Sequence, residues 1–273
     1  MAQRINVVTG ARSGMGKAVA LLLRQRGEAV IGVDLSDCEV NADLSTDAGR
    51  RHLVAEVGRL SPGGIDAVIA CAGLAISDGS LMIAVNYFGV VATIEGLAPM
   101  LRPAAPRVVA ISSMASVQPN DPEVVRLCLA GDEAGARARA AEGDVGYASS
   151  KRALSLWIRR TAVRSDWAGR GVLLNAIAPG LVSTPMIAPM LATEEGRARL
   201  KESVPYATPD KVGPEAIAPL LAFLAGPENQ YIVGQTVFCD GGAEIMLAAH
   251  LRADAGVEAL PVGQLGPMAA PAG

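Results

Sequence analysis

Tyr147 and Lys151 stand four residues apart in the run Tyr-Ala-Ser-Ser-Lys, and together their side chains could move a proton. Residues four apart on an α-helix lie on one face. An ammonium group beside a phenol favours the phenolate, because an opposite charge within a few Å stabilises the ionised form. A phenol with an ordinary pKa of about 10 then becomes a usable acid or base near neutral pH. Taken alone, the pair is equally compatible with two ordinary residues on a helix surface.

A glycine-rich turn near the start of the chain has the form of a phosphate-binding element. Residues 5–9 read as a short β-branched strand, and a helical pattern of apolar residues follows the turn and stops at Gly27. A strand, a glycine-rich turn and a helix place backbone N–H groups against a diphosphate. A flexible glycine-rich loop is the alternative, which the flanking elements disfavour. The predicted contacts in the turn are Gly10, Arg12, Ser13, Gly14, Met15 and Gly16.

The second predicted strand, residues 29–33, is followed by Asp34. A carboxylate at the end of this strand, about 20 residues past the glycine turn, is placed to accept hydrogen bonds from a ribose. It would repel a 2′-phosphate, so Asp34 favours NAD over NADP as cofactor. Arg12, inside the turn, argues weakly the other way. The alternative is that Asp34 merely caps a helix or a turn.

With the motifs further along, these residues resemble the short-chain dehydrogenase/reductase family over residues 4 to 246. Short stretches at 33–35, 42–46, 71–74 and 85–89 resemble a bacterial subgroup of hydroxysteroid dehydrogenases and carbonyl reductases. The family motifs, in the family's order, are Thr9-Gly10-x-x-x-Gly14-x-Gly16, Cys71-Ala72-Gly73, Asn86, Ser112-Ser113, Tyr147-x-x-x-Lys151, and Pro179-Gly180 leading to Thr184-Pro185.

The resemblance implies a role for each of four catalytic residues. Tyr147 is the acid/base, and Lys151 lowers its pKa and holds the nicotinamide ribose. Ser113, in preference to its neighbour Ser112, hydrogen-bonds the substrate oxygen. Asn86 anchors a water that links Lys151 to solvent. These roles are physically reasonable, since hydride chemistry belongs to the cofactor while the protein places one proton and stabilises one developing oxyanion.

The resemblance also implies contacts to an NAD cofactor beyond the glycine turn. Asp43 would bind the adenine amino group, and Val182 and Thr184 would contact the nicotinamide side. Where the family usually has Asn-Ala-Gly, this chain has Cys71-Ala72-Gly73, so a tie between neighbouring strands is in question. The full set beyond the turn is Asp34, Leu35, Asp43, Leu44, Cys71, Ala72, Gly73, Tyr147, Lys151, Pro179, Gly180, Val182 and Thr184.

An insertion of about 118–144 separates Ser113 from Tyr147 by more residues than is usual in the family. A turn signal at 119–122, an apolar stretch and an Ala/Arg/Glu-rich stretch predict a small helical hairpin. It is a surface decoration, a wall of the substrate pocket or a changed subunit interface. Because family members usually pair through their fourth and fifth helices, we expect a homo-oligomer, a dimer or tetramer, built on another face, around residues 214–224.

The remaining pattern predicts one α/β domain over residues 1–247, of the Rossmann type. Predicted strands alternate with helical patterns, which implies a doubly wound parallel sheet of about seven strands with helices on both faces. A tail of 248–273, rich in Ala, Gly and Pro, is either disordered or lies over a neighbouring subunit. The strands are expected at about 4–9, 29–34, 65–71, 106–112, 171–177 and 235–239, with a very short one near Val40.

Residues 181–206 resemble a helical substrate lid over the cofactor. Met186 and Met190, with Ser113 and Tyr147, are the expected substrate contacts, although simple core filling by the methionines is equally plausible. The lid, the 74–80 connection and the insertion are apolar or small, which favours a hydrophobic ketone or alcohol.

The composition of the chain indicates which partners and which cellular compartment to expect. A net charge of −3 argues against nucleic acid as a partner. The four cysteines show no Cys-x-x-Cys, which is typical of reduced thiols in the cytoplasm. Two histidines, His52 and His250, lie far apart, so no metal site is expected. Neither a signal peptide nor a membrane span is predicted.

The sequence therefore predicts an NAD(H)-dependent enzyme that interconverts a secondary alcohol and a ketone. A hydroxysteroid is the expected substrate. An enzyme of the same fold acting on another small alcohol or a xenobiotic ketone is an alternative. A non-catalytic dinucleotide sensor is a second alternative, but a sensor has no physical need for Asn86, Ser113, Tyr147 and Lys151 together.

Overall fold

A computed structural model describes residues 3–208 and 212–247 of the protein. Seven parallel strands form one sheet in the order β3-β2-β1-β4-β5-β6-β7, which confirms the predicted fold. The central strands are buried on both faces, as their nearly continuous apolar sequences require. The predicted tail lies outside the described residues. The strands are β1 (Ile5–Thr9), β2 (Ala29–Asp34), β3 (Val40–Asn41), β4 (Ala67–Ala70), β5 (Arg107–Ile111), β6 (Leu173–Pro179) and β7 (Thr236–Cys239).

Helices cover both faces of the sheet. One apolar cluster joins the sheet to α2, α4 and α7 through residues such as Leu53, Ile94 and Leu154. A second joins it to α1 and α10 through Leu23 and Leu221. The helices are α1 (Gly14–Gln25), α2 (Asp47–Leu60), α3 (Gly79–Ile83), α4 (Val90–Leu97), α5 (Pro122–Ala130), α6 (Glu133–Ala140), α7 (Gly146–Ala162), α8 (Ala188–Leu191), α9 (Glu194–Ser203), α10 (Pro214–Ala225) and α11 (Ala243–Leu247).

A π-helical turn, Ala84–Gly89, joins α3 to α4. The run Gly79–Met100 that contains it is 22 residues long and apolar enough to cross a membrane by length and composition, but 67% of its apolar 18-residue window is buried inside the fold. It packs as a core helix whose apolar residues face the sheet and α7. π-Turns of this kind concentrate at functional sites, and this one carries Asn86.

The predicted helical hairpin is present as α5 and α6. Asp121 caps α5 and is followed by Pro122, while Gly131, with φ of 78°, ends it. Gly79 of α3 approaches α6 so closely that a Cβ there would lie 2.1 Å from the Ala140 carbonyl oxygen. Because α5 packs on α7 and α6 on α3, the hairpin lies beside the catalytic helix and outside the sheet.

Arg50 of α2 anchors this hairpin from inside the fold. Its guanidinium is buried and donates to both carboxylate oxygens of Glu133, at 2.6 and 2.8 Å. It also donates to the carbonyl oxygens of Leu44 at 2.8 Å and Ala84 at 2.9 Å. A single side chain therefore joins the insertion, the loop after β3 and the π-turn. No sequence pattern marked this contact, since the ion pair spans 83 residues.

We expect Glu133→Gln to lower the free energy of unfolding by about 1–3 kcal/mol, because a buried charged donor loses its ionised partner. Urea denaturation measures the change. Glu123→Gln is the matched control, since its ion pair with Arg126 lies on the exposed face of the same hairpin. That control should cost less than about 1 kcal/mol. Equal losses in both variants would contradict the anchoring role of Arg50.

The predicted lid comprises α8 and α9. Met186 and Met190 are 41% and 38% exposed, so neither fills the core. Gln118, at the start of the insertion, donates its side-chain N–H to the Ser203 carbonyl oxygen at 2.6 Å. The end of the lid is thereby tied to the segment that follows Ser113.

Candidate active site

A cavity of about 500 Å³ lies at the carboxyl ends of β1, β2 and β4. This is where parallel α/β sheets bind ligands. Its wall contains most of the predicted cofactor contacts and one of the predicted substrate contacts. They are Gly10, Ser13, Gly14, Met15, Gly16, Asp34, Leu35, Asp43, Leu44, Cys71, Ala72, Gly73, Thr184 and Met186.

The glycine turn leaves space where a phosphate would approach. Gly10 has φ of 67°, and a Cβ on Gly16 would lie 2.2 Å from the Gly10 carbonyl oxygen, so both positions require glycine. Ser13 precedes α1 without capping it through its side chain. The first-turn N–H groups of α1 therefore face the cavity without a side-chain acceptor from Ser13, and they fit a diphosphate.

Asp34 is held at the rim by the backbone. Its Oδ2 accepts the Arg12 N–H at 3.1 Å, and its Oδ1 accepts the Leu35 N–H at 2.8 Å. A carboxylate has about four lone-pair sites, so two bonds leave room for two ribose hydroxyls. Asp43, by contrast, accepts both the N–H and the hydroxyl of Ser45. Among the described residues that line the cavity there is no Lys or Arg to receive a 2′-phosphate.

Tyr147 and Ser113 meet across the predicted catalytic centre. Burial raises the pKa of Tyr147, and a hydrogen bond with Ser113 acts in the opposite direction. The Ser113 Oγ accepts the Ala115 N–H at 3.1 Å, which leaves its own hydrogen to donate. Ser112 is used elsewhere, because its Oγ bonds Ser155 at 2.7 Å. The Ser112 hydroxyl is thus engaged inside the fold, while the choice of Ser113 as the substrate contact stays a prediction.

Lys151 is buried below the tyrosine. Its Nζ donates to the Ile111 carbonyl oxygen at 2.9 Å and lies 5.7 Å from the centre of the Tyr147 ring. Burial lowers the pKa of Lys151 to about 8. Burial raises the pKa of Tyr147 and the Ser113 hydrogen bond opposes that rise, while the effect expected from Lys151 stays a prediction.

Asn86 closes the same region from the π-turn. Its Oδ1 accepts the Leu74 N–H at 2.7 Å and its Nδ2 donates to the Leu74 carbonyl oxygen at 2.8 Å. A Cβ on Gly73 would lie 3.2 Å from Asn86 Oδ1 and 3.6 Å from Lys151 Nζ. Gly73 therefore lies between the cavity and the catalytic group. The water contact predicted for Asn86 stays a prediction.

Cys71 packs partly buried against the second apolar cluster, as expected for a small apolar residue. Burial raises the pKa of its thiol to about 12, so it is a thiol at neutral pH. The neighbouring Ala72 N–H donates to the Thr9 hydroxyl at 3.0 Å. This bond ties the ends of β1 and β4 beside the position where the family usually has asparagine.

Eight predicted contacts lie outside the cavity wall. Ser113, Tyr147 and Lys151 are three of them, and Asn86, the fourth predicted catalytic residue, is outside the wall as well. The other five are Arg12, Pro179, Gly180, Val182 and Met190. Val182 is buried and pairs with Val212 in an isolated bridge. Gly180 packs against Asp240, beyond the end of β7. Met190 lies on the exposed lid, and Pro179 is the buried last residue of β6. The Arg12 side chain lines a separate surface hollow.

Eight residues of the cavity wall were not predicted as contacts. Most are chain neighbours of predicted ones, so extending each predicted stretch by one residue would have included them. Leu74 and Ile76 belong to the 74–80 connection that was expected to line the substrate pocket, whereas Leu81 lies in α3, which no motif marks. The set is Val33, Ala42, Ser45, Leu74, Ile76, Leu81, Val85 and Pro185.

The chain belongs to the short-chain dehydrogenase/reductase family. A family model described as short chain dehydrogenase matches residues 4–125, and one described as enoyl-(acyl carrier protein) reductase matches residues 129–244. The protein is therefore an oxidoreductase with a dinucleotide-binding fold.

Individual relatives in this family match most of the chain. The chain is 36% identical over 256 residues to a 3-alpha-hydroxysteroid dehydrogenase/carbonyl reductase of Comamonas testosteroni, covering 89% of this chain and 97% of that one. It is 30% identical to a cis-4-hydroxycyclohexanecarboxylate dehydrogenase of Sinomonas cyclohexanicum, covering 88% and 96%. The solved 3-alpha-hydroxysteroid dehydrogenase of Pseudomonas sp. B-0831, complexed with NADH, superposes with a TM-score of 0.83 at 38% identity, covering 90% and 98%.

Proposed function

We propose that the protein is an NAD(H)-dependent oxidoreductase that interconverts a hydroxysteroid, or a similarly bulky cyclic secondary alcohol, and its ketone. The observation that carries this proposal is the hydrogen bond between Tyr147 and Ser113, together with Lys151, whose Nζ would lie 3.6 Å from a Cβ on Gly73 in the cavity wall. The relatives that act on hydroxysteroids and on a cyclic alcohol support the substrate class. A sensor would not require this arrangement of proton-transferring groups.

The chain's own residues would handle the proton. The hydride is supplied or accepted by the nicotinamide when the cofactor is bound. In reduction, the protonated Tyr147 hydroxyl donates to the carbonyl oxygen, and its raised pKa keeps the proton in place at neutral pH. The Ser113 hydroxyl donates a second hydrogen bond to the same oxygen, where negative charge develops. In oxidation the tyrosine takes the proton back.

The apolar wall sets the substrate class. Leu74, Ile76 and Met186 line the cavity, and no described Lys or Arg does. Such a wall suits a flat hydrophobic ketone with one reacting oxygen. A panel of 3α-hydroxysteroids, cyclic alcohols and aromatic ketones, followed by absorbance of NADH, tests the proposal. Turnover only with phosphorylated or coenzyme-A-linked substrates would overturn it.

The Asp34 carboxylate carries the proposed cofactor preference. We expect Asp34→Ala to weaken NAD⁺ binding about tenfold, since a hydrogen bond to a charged group contributes about 1.5–3 kcal/mol. The same change should weaken NADP⁺ binding less or strengthen it, because a repelling carboxylate is removed. Calorimetric titration of both nucleotides measures the ratio. Wild-type protein that binds NADP⁺ as tightly as NAD⁺ would contradict the assignment.

We also propose that the protein forms a cytoplasmic homo-oligomer through the face of α10. Phe223 on that helix is 38% exposed, and α5 covers part of α7, one of the two helices through which the family usually pairs. Phe223→Asp should lower the mass measured by light scattering to that of a smaller species. Val163→Asp, at the end of α7, is the control and should leave the mass unchanged. The reverse pattern would contradict the proposed interface.

A further inference from the structure

Arg12 stands in the glycine-rich turn, yet its side chain leaves the cofactor cavity. Its Nη1 donates to Ser36 Oγ at 2.5 Å and to Asp37 Oδ2 at 3.0 Å. The Ser36 hydroxyl donates in turn to the same Asp37 oxygen at 2.8 Å. These contacts place the guanidinium in a surface hollow that Lys17 and Arg24 also line. The backbone of Arg12, however, bonds Asp34 at the ribose end of the cavity.

The turn after β2 places Ser36 and Asp37 where they contact the Arg12 side chain. Asp37 adopts φ of 57°, in the left-handed region that Asp and Asn tolerate better than most residues. The turn follows Asp34 directly and returns the chain to β3. The residue that would hold a ribose and the residues that hold Arg12 are thus fixed by one short segment.

An arginine at this position is the group that a phosphorylated ribose would use. A guanidinium binds phosphate through two parallel hydrogen bonds, and an Arg near the ribose accommodates the 2′-phosphate of NADP. Because the Arg12 backbone contacts the Asp34 carboxylate, its side chain starts beside the expected 2′ position. Ser36 and Asp37 instead accept hydrogen bonds from that side chain in the surface hollow.

We infer that Ser36 and Asp37 are specificity-determining residues. They hold the Arg12 guanidinium away from the ribose, so that it does not bind a 2′-phosphate. This inference rests on the proposed dinucleotide function and adds to it a second discriminating element besides Asp34. The side chains of Arg12 and Asp37 are 56% and 76% exposed. Their attraction is correspondingly modest, so the expected effect of releasing Arg12 is small and measurable.

The test measures dissociation constants of NAD⁺ and NADP⁺ by calorimetry, independently of turnover. Asp37→Asn keeps the left-handed backbone while removing the charge. In the Asp34→Ala background, adding Asp37→Asn should tighten NADP⁺ binding about twofold to fivefold, the size expected for an exposed ion pair. NAD⁺ binding should not change. Adding Arg12→Ala should remove the gain.

Asp166→Asn is the matched control, since Asp166 forms a similarly exposed pair with Arg164 at the other edge of the sheet. It should leave both constants unchanged. A gain that persists after Arg12→Ala would overturn the inference, because it would reflect only the loss of a negative charge. Unchanged NADP⁺ binding on adding Asp37→Asn would overturn it as well. The comparison within the Asp34→Ala background separates this result from failure of the proposed NAD preference, which wild-type protein alone decides.

Discussion

Tyr147→Phe should lower turnover by about 100-fold or more, the usual size of a general acid–base contribution. The substitution removes the hydroxyl that meets Ser113 and keeps the ring that packs above Lys151. Cofactor affinity should survive, because Tyr147 is one contact among many and both its ring and the Lys151 ammonium are kept. Steady-state turnover with a 3α-hydroxysteroid and calorimetric titration of NAD⁺ provide the two readouts.

The control for this experiment is Tyr231→Phe. Tyr231 is 94% exposed and lies outside the cavity wall. Its variant should match the wild-type protein in both readouts. Near-normal turnover in Tyr147→Phe would refute the acid/base assignment, whereas loss of both turnover and NAD⁺ binding would show that the ring serves the fold and not the proton.

Lys151→Met should impair both turnover and NAD⁺ binding, because the ammonium is the proposed ribose contact.

Lys151→Met should also change the free energy of unfolding, with a defined pH dependence. Burial lowers the pKa of Lys151 from 10.5 in the unfolded chain to about 8 in the folded protein. Below pH 8 both states carry the proton, and the folded state bears the full cost of a buried charge, which is up to about 3 kcal/mol.

Between pH 8 and about 10.5 the unfolded chain binds a proton that the folded protein does not, so this contribution to stability rises with pH. Lys151→Met lacks the penalty at every pH. The variant should therefore exceed the wild-type protein in free energy of unfolding at pH 7, and its advantage should shrink towards pH 10. Urea denaturation of both proteins without cofactor at pH 7, 8, 9 and 10 measures this difference. A difference that is constant over that range would contradict the lowered pKa.

The sheet was predictable because each strand is a short apolar run that ends in a turn or a polar residue. Residues 5–9 end at Gly10, and 29–34 end at Asp34, so the carboxyl edge and its ligands could be inferred together. The helical hairpin was predictable for a similar reason, since Asp121, Pro122 and Gly131 mark its helix ends. Local chemistry dictated these features.

Long-range contacts could not be inferred in this way. Nothing near Arg50 indicates that its partner is Glu133, and nothing near Arg12 indicates that Asp37 draws its side chain out of the cavity. The role expected for Val182 followed from resemblance, whereas the effect expected of Lys151 on the tyrosine followed from the spacing of the pair and the charge of the ammonium. The actual positions depend on a bridge to Val212 and on the depth at which the ammonium is buried.

The anchoring of the hairpin by Arg50 constrains how this protein can be redesigned. Excising residues 118–144 to restore a shorter family-like connection would remove the Glu133 carboxylate from the buried guanidinium and leave it paired with the exposed Asp47 at 3.3 Å. The same guanidinium holds the carbonyl groups of Leu44, beside the cavity, and Ala84, at the start of the π-turn. A loop graft would therefore have to replace Arg50 together with the hairpin, and the two must be treated as one transferable module.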